Sequence, residues 1–219
     1  MESESSIHKI DQQRGYWDGF YRHSADSVPT FPSQFAVFML SNLSPVQGVL
    51  ELGCGNGRDS AFFAGQGLPV MALDSSAQAI ALCRSRQVAG VDYRQCDIES
   101  CAEDVREFLA DKTHIAVYAR FFLHAITDET ENRLLGTLCD LLPDGCALYL
   151  EYRTREDAVG EKQFGQHYRR YIEHADLLRQ LECHGLTVSY QVQGRGFATY
   201  RNEDAFIGRC VAVRCRDLS

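Results

Sequence analysis

Apolar and polar positions along this chain follow two alternating periods. Short apolar runs at residues 48–52, 70–73, 91–95, 115–119, 147–152, 188–192 and 210–214 read as strands. Between them, apolar residues recur every three to four positions. In "ETENRLLGTLCDLLPDG", Leu134, Leu135, Leu138, Leu141 and Leu142 share one helical face, and Pro143-Asp144-Gly145 stops the helix. The pair Ser75-Ser76 offers an N-cap to the helix "AQAIALCRSRQ". Strands alternating with helices predict an α/β fold, a seven-stranded, mostly parallel sheet with helices on both faces. The last two strands enclose no long helix, so the final strand is expected to run antiparallel.

At 219 residues and 45% hydrophobic content, the chain suits a single domain, 1–219. Residues 1–30 stand outside the strand–helix frame. They carry Tyr16, Trp17, Phe20 and Tyr21 at helical spacing before a Pro-punctuated turn, and would form either a lid or a staple on the domain surface. Residues 154–176 form a second, charge-rich insertion before the apolar pattern of Leu177, Leu178 and Leu181. No apolar run approaches the roughly 20 residues of a membrane helix, and Met1 to Arg14 lacks a signal-peptide core, so a cytoplasmic protein without membrane insertion is expected. Nine cysteines without a CxxC pair read as free thiols, with Cys54, Cys83, Cys139 and Cys146 inside apolar or glycine-rich segments. Cys183-His184 lacks zinc spacing, so no metal is expected. A net charge of −8 argues against a nucleic-acid partner. The oligomeric state is left open between monomer and homodimer.

The stretch "VLELGCGNGRDS" carries the chemistry. Gly53, Gly55 and Gly57 follow an apolar strand and would let backbone approach a ligand closely. The spacing misses the dinucleotide motif GxGxxG by one residue, because Arg58 stands where its third glycine would be. Glu51 would repel a pyrophosphate, which favours a ligand with an amine or sulfonium. Asp74 ends the second strand, where it can hold ribose hydroxyls, and Asp97 with Ile98 follows the third, beside a purine. This pattern resembles the class I, Rossmann-like S-adenosylmethionine-dependent methyltransferases, over about residues 35–214. The resemblance implies that Gly53, Cys54 and Gly55 line the methionine part, Asp74 holds the ribose, and Asp97 and Ile98 contact adenine. Asp59 would position the amino acid end or cap its helix. Trp17, Glu51, Ser75 and Arg120 complete the expected cofactor set. In place of the Asn/Asp-Pro-Pro-aromatic motif of nucleic-acid amino-methylating members stands "ARFFLHAI", so base methylation is not expected.

The turns after the fourth and fifth strands should face the transferring methyl. They hold Arg120 and His124, the expected catalytic pair, then Arg153 and Arg155. His167, Arg169 and Arg170 follow, and together with Tyr16 and Tyr21 these make up the expected acceptor residues. Of the 22 basic residues, 19 are arginine, and guanidinium forks match carboxylate and phosphate geometry. A small anionic acceptor, methylated on oxygen, is therefore the expectation. His124 is the candidate base should the acceptor be a hydroxyl; otherwise it packs beneath the cofactor. The segments "YWDGFY", "YARFFLHAITDE", "EYRTRED", "HYRRYI" and "GRGFATYRNEDAFIGR" are similar to bacterial methyltransferases of surface-polysaccharide and specialised-metabolite pathways, one of which methylates a terminal phosphate. Open alternatives are an N- or C-methyltransferase of a neutral metabolite, a non-catalytic S-adenosylmethionine-binding module, and a nicotinamide oxidoreductase.

Overall fold

The computed structural model describes residues 15–23, 28–158 and 170–215. Residues 15–23 are helical (α1), and α2 (Gln34–Asn42) leads into the sheet. The frame continues through β1 (Val49–Leu52), α3 (Arg58–Gly65), β2 (Val70–Asp74), α4 (Ala77–Ser85), β3 (Val91–Gln95), α5 (Ala102–Leu109) and β4 (Ala116–Arg120). It closes with α6 (Asp128–Leu141), β5 (Ala147–Arg153), α7 (His174–Cys183), β6 (Leu186–Gly194) and β7 (Ile207–Arg214). The sheet order is β3-β2-β1-β4-β5-β7-β6, with β7 antiparallel to both β5 and β6. Fold class and antiparallel last strand are thus as expected.

Alternation along the strands divides the core. Leu50, Leu52, Met71, Leu73, Val117 and Ala119 face α5, α6 and α7, whereas Val49, Val70, Ala72, Ala116 and Tyr118 face α2, α3 and α4. In α6, Leu134, Leu135 and Leu138 are buried, as is Leu142 just past its end, with Leu141 half-buried at the edge of the stripe. Ser76, rather than Ser75, caps α4, its Oγ accepting from Ala79 N at 3.2 Å. Cys54, Cys83, Cys139 and Cys146 are free and buried.

Among the strands that outrun their apolar stretches, β5 and β7 bear on the site. β5 reaches Arg153 and β7 begins at Ile207, because Arg153 and Arg209 are buried strand residues with carboxylate partners. This decides where the site lies. Ile207 pairs with Arg153, so the connection 195–206 emerges beside the carboxyl end of β5. The strand order reverses between β2-β1 and β4-β5, which opens a crevice at those same ends.

Candidate active site

The turns leaving β1 to β5, together with α1, residues 28–34 and the 195–206 connection, line one cavity of about 350 Å³. Its floor is the glycine loop. Gly53, Gly55 and Gly57 have φ of +71°, +54° and +70°, a region L-residues avoid. A Cβ on Gly55 would lie 2.3 Å from the Tyr21 hydroxyl, and one on Gly57 2.8 Å from both Cys83 Sγ and Tyr93 Oη. Bare backbone is required because α1, α4 and β3 press on the loop.

Asp74 ties this loop to β2. Its Oδ2 accepts from Gly55 N at 2.8 Å and its Oδ1 from Ser76 N at 2.9 Å. A carboxylate has about four lone-pair sites, so capacity for a diol remains. Burial pushes the Asp74 carboxyl above its usual range, and the two backbone N–H groups pull it back. Glu51 accepts from Ser60 Oγ and lies still deeper; burial first, then the charge of Asp59, raises its pKa strongly. A cation nearby would favour its ionised form. Asp97 accepts from Glu99 N at 3.3 Å at the turn Ile98–Ser100, and both Asp97 and Ile98 line the cavity with Cys54 and Ser75. Acids ending three successive strands, an apolar Ile98 and uncovered backbone fit a ligand made of a sulfonium, a diol and a purine.

Asp59 neither caps its helix nor points freely at the cavity. Its oxygens accept from Ser33 N at 2.7 Å, Ser33 Oγ at 2.8 Å and Tyr118 Oη at 2.9 Å, fastening the entry to α2 onto β4. The aromatic helix also needs correction. Trp17, Phe20 and Tyr21 line the cavity, but Tyr16 packs edge-on against Trp17, 5.1 Å between centroids, and does not. Asp18 docks α1, accepting from Ser76 Oγ at 2.6 Å and Gln78 N at 3.3 Å. That docking places Tyr21 on the glycine loop rather than among acceptor residues. Burial, and secondarily Asp74, keeps its phenol protonated.

The expected arginine cluster comes apart in space. Arg120 and Arg153 line the cavity; Arg155 is exposed, 3.5 Å from Glu173, and Arg170 turns to Asp128 and Glu131 at the start of α6. Arg170 still contributes through its backbone, whose N–H donates to His124 O at 2.8 Å. His167 and Arg169 lie outside the described residues. Arg153 is held by Asp157 at 2.6 Å and Glu203 at 2.5 Å. Arg120 Nε donates to Glu151 Oε1 at 2.8 Å, while Arg209 Nε takes Oε2 at 2.6 Å. Burial works most strongly against the Arg120 charge, but Glu151, Tyr118 and Asp59 together outweigh it and the pKa lies above the usual guanidinium value. Phe121, with a positive φ of 54°, inserts its ring 4.2 Å from the Arg120 guanidinium and 5.2 Å from that of Arg153.

His124 is buried in the cavity wall, its Nδ1 accepting from Arg153 N at 3.4 Å. That bond assigns the hydrogen of the neutral ring to Nε2, which makes Nε2 a donor. Sequence reasoning missed Glu151, Arg209, Phe121, Tyr200 and Glu203. Glu151 and Arg209 were visible as charged residues inside apolar strands, whereas nothing local marks Glu203 as the partner of Arg153.

Residues 49–145 match a family model described as a methyltransferase domain. The strand order and the crevice at the carboxyl ends of the strands are those of the class I, Rossmann-like methyltransferase fold. Solved structures with this fold hold S-adenosylmethionine or S-adenosylhomocysteine. No curated protein matches the chain in sequence. Solved methyltransferase structures share the fold. One from Anabaena variabilis is 19% identical over 94% of each chain, with a TM-score of 0.69. The Burkholderia thailandensis 1,6-didemethyltoxoflavin-N1-methyltransferase is 16% identical over 96% of this chain and 91% of its own, at 0.68. A glycopeptide N-methyltransferase is 18% identical over 88% and 95%, at 0.65. The latter two are described with bound S-adenosylhomocysteine. At these identities the likeness speaks for the methyltransferase fold and not for a substrate. Among the described residues, no helix is long and apolar enough to cross a membrane.

Proposed function

We propose that this methyltransferase acts on an oxygen of a small acceptor that arrives already ionised, such as a carboxylate or phosphate. The donor brings a methyl group on a sulfonium, open to in-line attack. Gly53, Cys54, Gly55, Asp74, Asp97 and Ile98 hold the donor side, and α1 covers it with Trp17 and Tyr21. The acceptor side is bounded by Phe121, His124, Thr199, Tyr200 and Glu203. Fixing both partners there removes most of the entropic barrier, for which orientation supplies roughly 7–11 kcal/mol.

The observation that carries the ionised-oxygen reading is the engagement of the nearby proton acceptors. His124 Nδ1 faces the Arg153 N–H, Glu203 receives Arg153 Nη2, and Glu99 receives Thr130 Oγ1 and Arg133. His124 is then a hydrogen-bond donor to an oxyanion rather than a base. Arg155 and Arg170 lend the ionised-oxygen reading no support, since they pair with Glu173 and with Asp128 and Glu131. Labelled methyl transfer to matched acceptors, with and without an ionised oxygen, tests the proposal. Transfer to the ionised member, with a rate flat between pH 6 and 8 and reduced about tenfold by His124→Gln, is the expected result. Transfer only to a hydroxyl or amine, rising through a pKa near the ordinary histidine value and lost in His124→Gln, would replace it with general-base catalysis.

A further inference from the structure

Two guanidinium groups line this cavity with their outer edges unengaged. Arg58 opens α3 and Arg120 ends β4, and both line the cavity. Arg58 makes one ion pair, Nε to Asp59 Oδ1 at 3.7 Å, and Arg120 one, Nε to Glu151 Oε1 at 2.8 Å. The terminal nitrogens of both have no hydrogen-bond partner among the described residues. The other arginines nearby differ, for Arg153 places both terminal nitrogens on carboxylates, and Arg209 places Nε on Glu151 and Nη2 on Phe197 O.

The two side chains are only 14% and 19% exposed. After burial, the charge of Arg120 is the main influence lowering the Arg58 pKa, so the pair is close enough to repel. The carboxylates beside them are already divided. Asp59 serves Ser33 and Tyr118, and Glu151 is shared between Arg120 and Arg209. Half-buried donors of like charge, left with open edges, are stabilised by an anion placed between them. A planar two-oxygen anion suits guanidinium edges best, because each can give parallel N–H···O bonds.

We infer that Arg58 and Arg120 form a carboxylate fork that seats one anionic group of a bound ligand. This rests on reading the cavity as the donor and acceptor site. The same chemistry has two sources, the methionyl carboxylate of the donor and an anionic group of the acceptor, and the two are separable. Arg58 had no assigned role beyond starting its helix.

The test compares wild type with Arg58→Gln and Arg58→Lys, and with Arg120→Gln. S-adenosylhomocysteine is titrated against 5′-methylthioadenosine, which keeps the nucleoside and thioether and lacks the amino acid part. Benzoate and inorganic phosphate are then titrated onto the methylthioadenosine-saturated protein. Calorimetry reads the nucleosides, and fluorescence of Trp17, the sole tryptophan and a cavity residue, reads the anions. If the fork holds the donor carboxylate, Arg58→Gln weakens S-adenosylhomocysteine ten- to hundredfold, leaves methylthioadenosine within about threefold, and Arg58→Lys recovers part of the loss. If it holds the acceptor, both nucleosides bind normally, while saturable quenching by benzoate or phosphate disappears in both glutamine variants. Variants that bind the nucleosides and the anions like wild type overturn the fork, as do variants that lose both nucleosides equally. A wild type that binds neither nucleoside is a different failure. It overturns the donor-site reading before any variant is made, and anion titration of the free protein then decides the fork.

Discussion

Replacing Glu151 by glutamine removes one negative charge from beneath the cavity and leaves the shape nearly unchanged. Glu151 is 1% exposed and shared, with Oε1 on Arg120 and Oε2 on Arg209. Glutamine keeps an oxygen for one guanidinium but presents an NH₂ group to the other, so one buried arginine loses its acceptor. Breaking a buried pair in this way costs roughly 3–5 kcal/mol, and the retained hydrogen bond places Glu151→Gln near the lower figure, about 3 kcal/mol. For a domain of this size that is a fall in Tm of roughly 6–12 °C. Urea unfolding with an unchanged m value measures the loss directly. Arg133→Ala is the control, since it removes an exposed pair with Glu99 at 2.8 Å and should cost less than about 1 kcal/mol. A Glu151→Gln loss no larger than that of the control would refute the claim that both buried guanidiniums depend on the shared carboxylate.

Other outcomes follow from the same geometry. Glu51 has its folded pKa raised by burial and by Asp59, so between its unfolded and folded values the folded state holds a proton that the unfolded chain has released. Stability should therefore fall as pH rises through that window in wild type and stay flatter in Glu51→Gln; parallel urea curves from pH 4 to 8 would count against it. Gly57→Ala forces a Cβ into Cys83 and Tyr93 at a φ of +70° and should cost about 2–4 kcal/mol in chemical unfolding, from left-handed strain plus overpacking. A loss under about 1 kcal/mol would show that the loop yields easily. Arg155→Ala, remote from the cavity and paired only loosely with Glu173, should leave kcat/KM within about twofold, below what even 1 kcal/mol would produce. A larger drop would return Arg155 to the acceptor site.

How far the sequence revealed the site depended on how local each signal is. The glycine loop, Asp74 and Asp97 were legible because each stands at the end of a strand whose apolar run sets its position. Asp59 and Tyr21 were placed near the donor or acceptor, yet their contacts depend on α1 and α2 folding back over the sheet, through Asp18 on Ser76 and Asp59 on Ser33. The acceptor side was least legible. Where an arginine points is settled by which carboxylate reaches it, and the partners of Arg153 are Asp157 and Glu203, those of Arg170 Asp128 and Glu131. Clustering in sequence therefore did not become clustering in space. The start of β7 was hidden for a related reason, since the buried Arg209 interrupts the apolar run that would have marked it.

The central claim is that the cavity at the carboxyl ends of β1 to β5 holds S-adenosylmethionine through Asp74 and the glycine loop. Calorimetric titration of S-adenosylhomocysteine into wild type and Asp74→Ala tests it most directly. Saturable binding at one site per chain is expected in wild type, and an affinity at least tenfold weaker in the variant, from the loss of a buried charge-assisted hydrogen-bond acceptor. Equal affinity in the two proteins would contradict it.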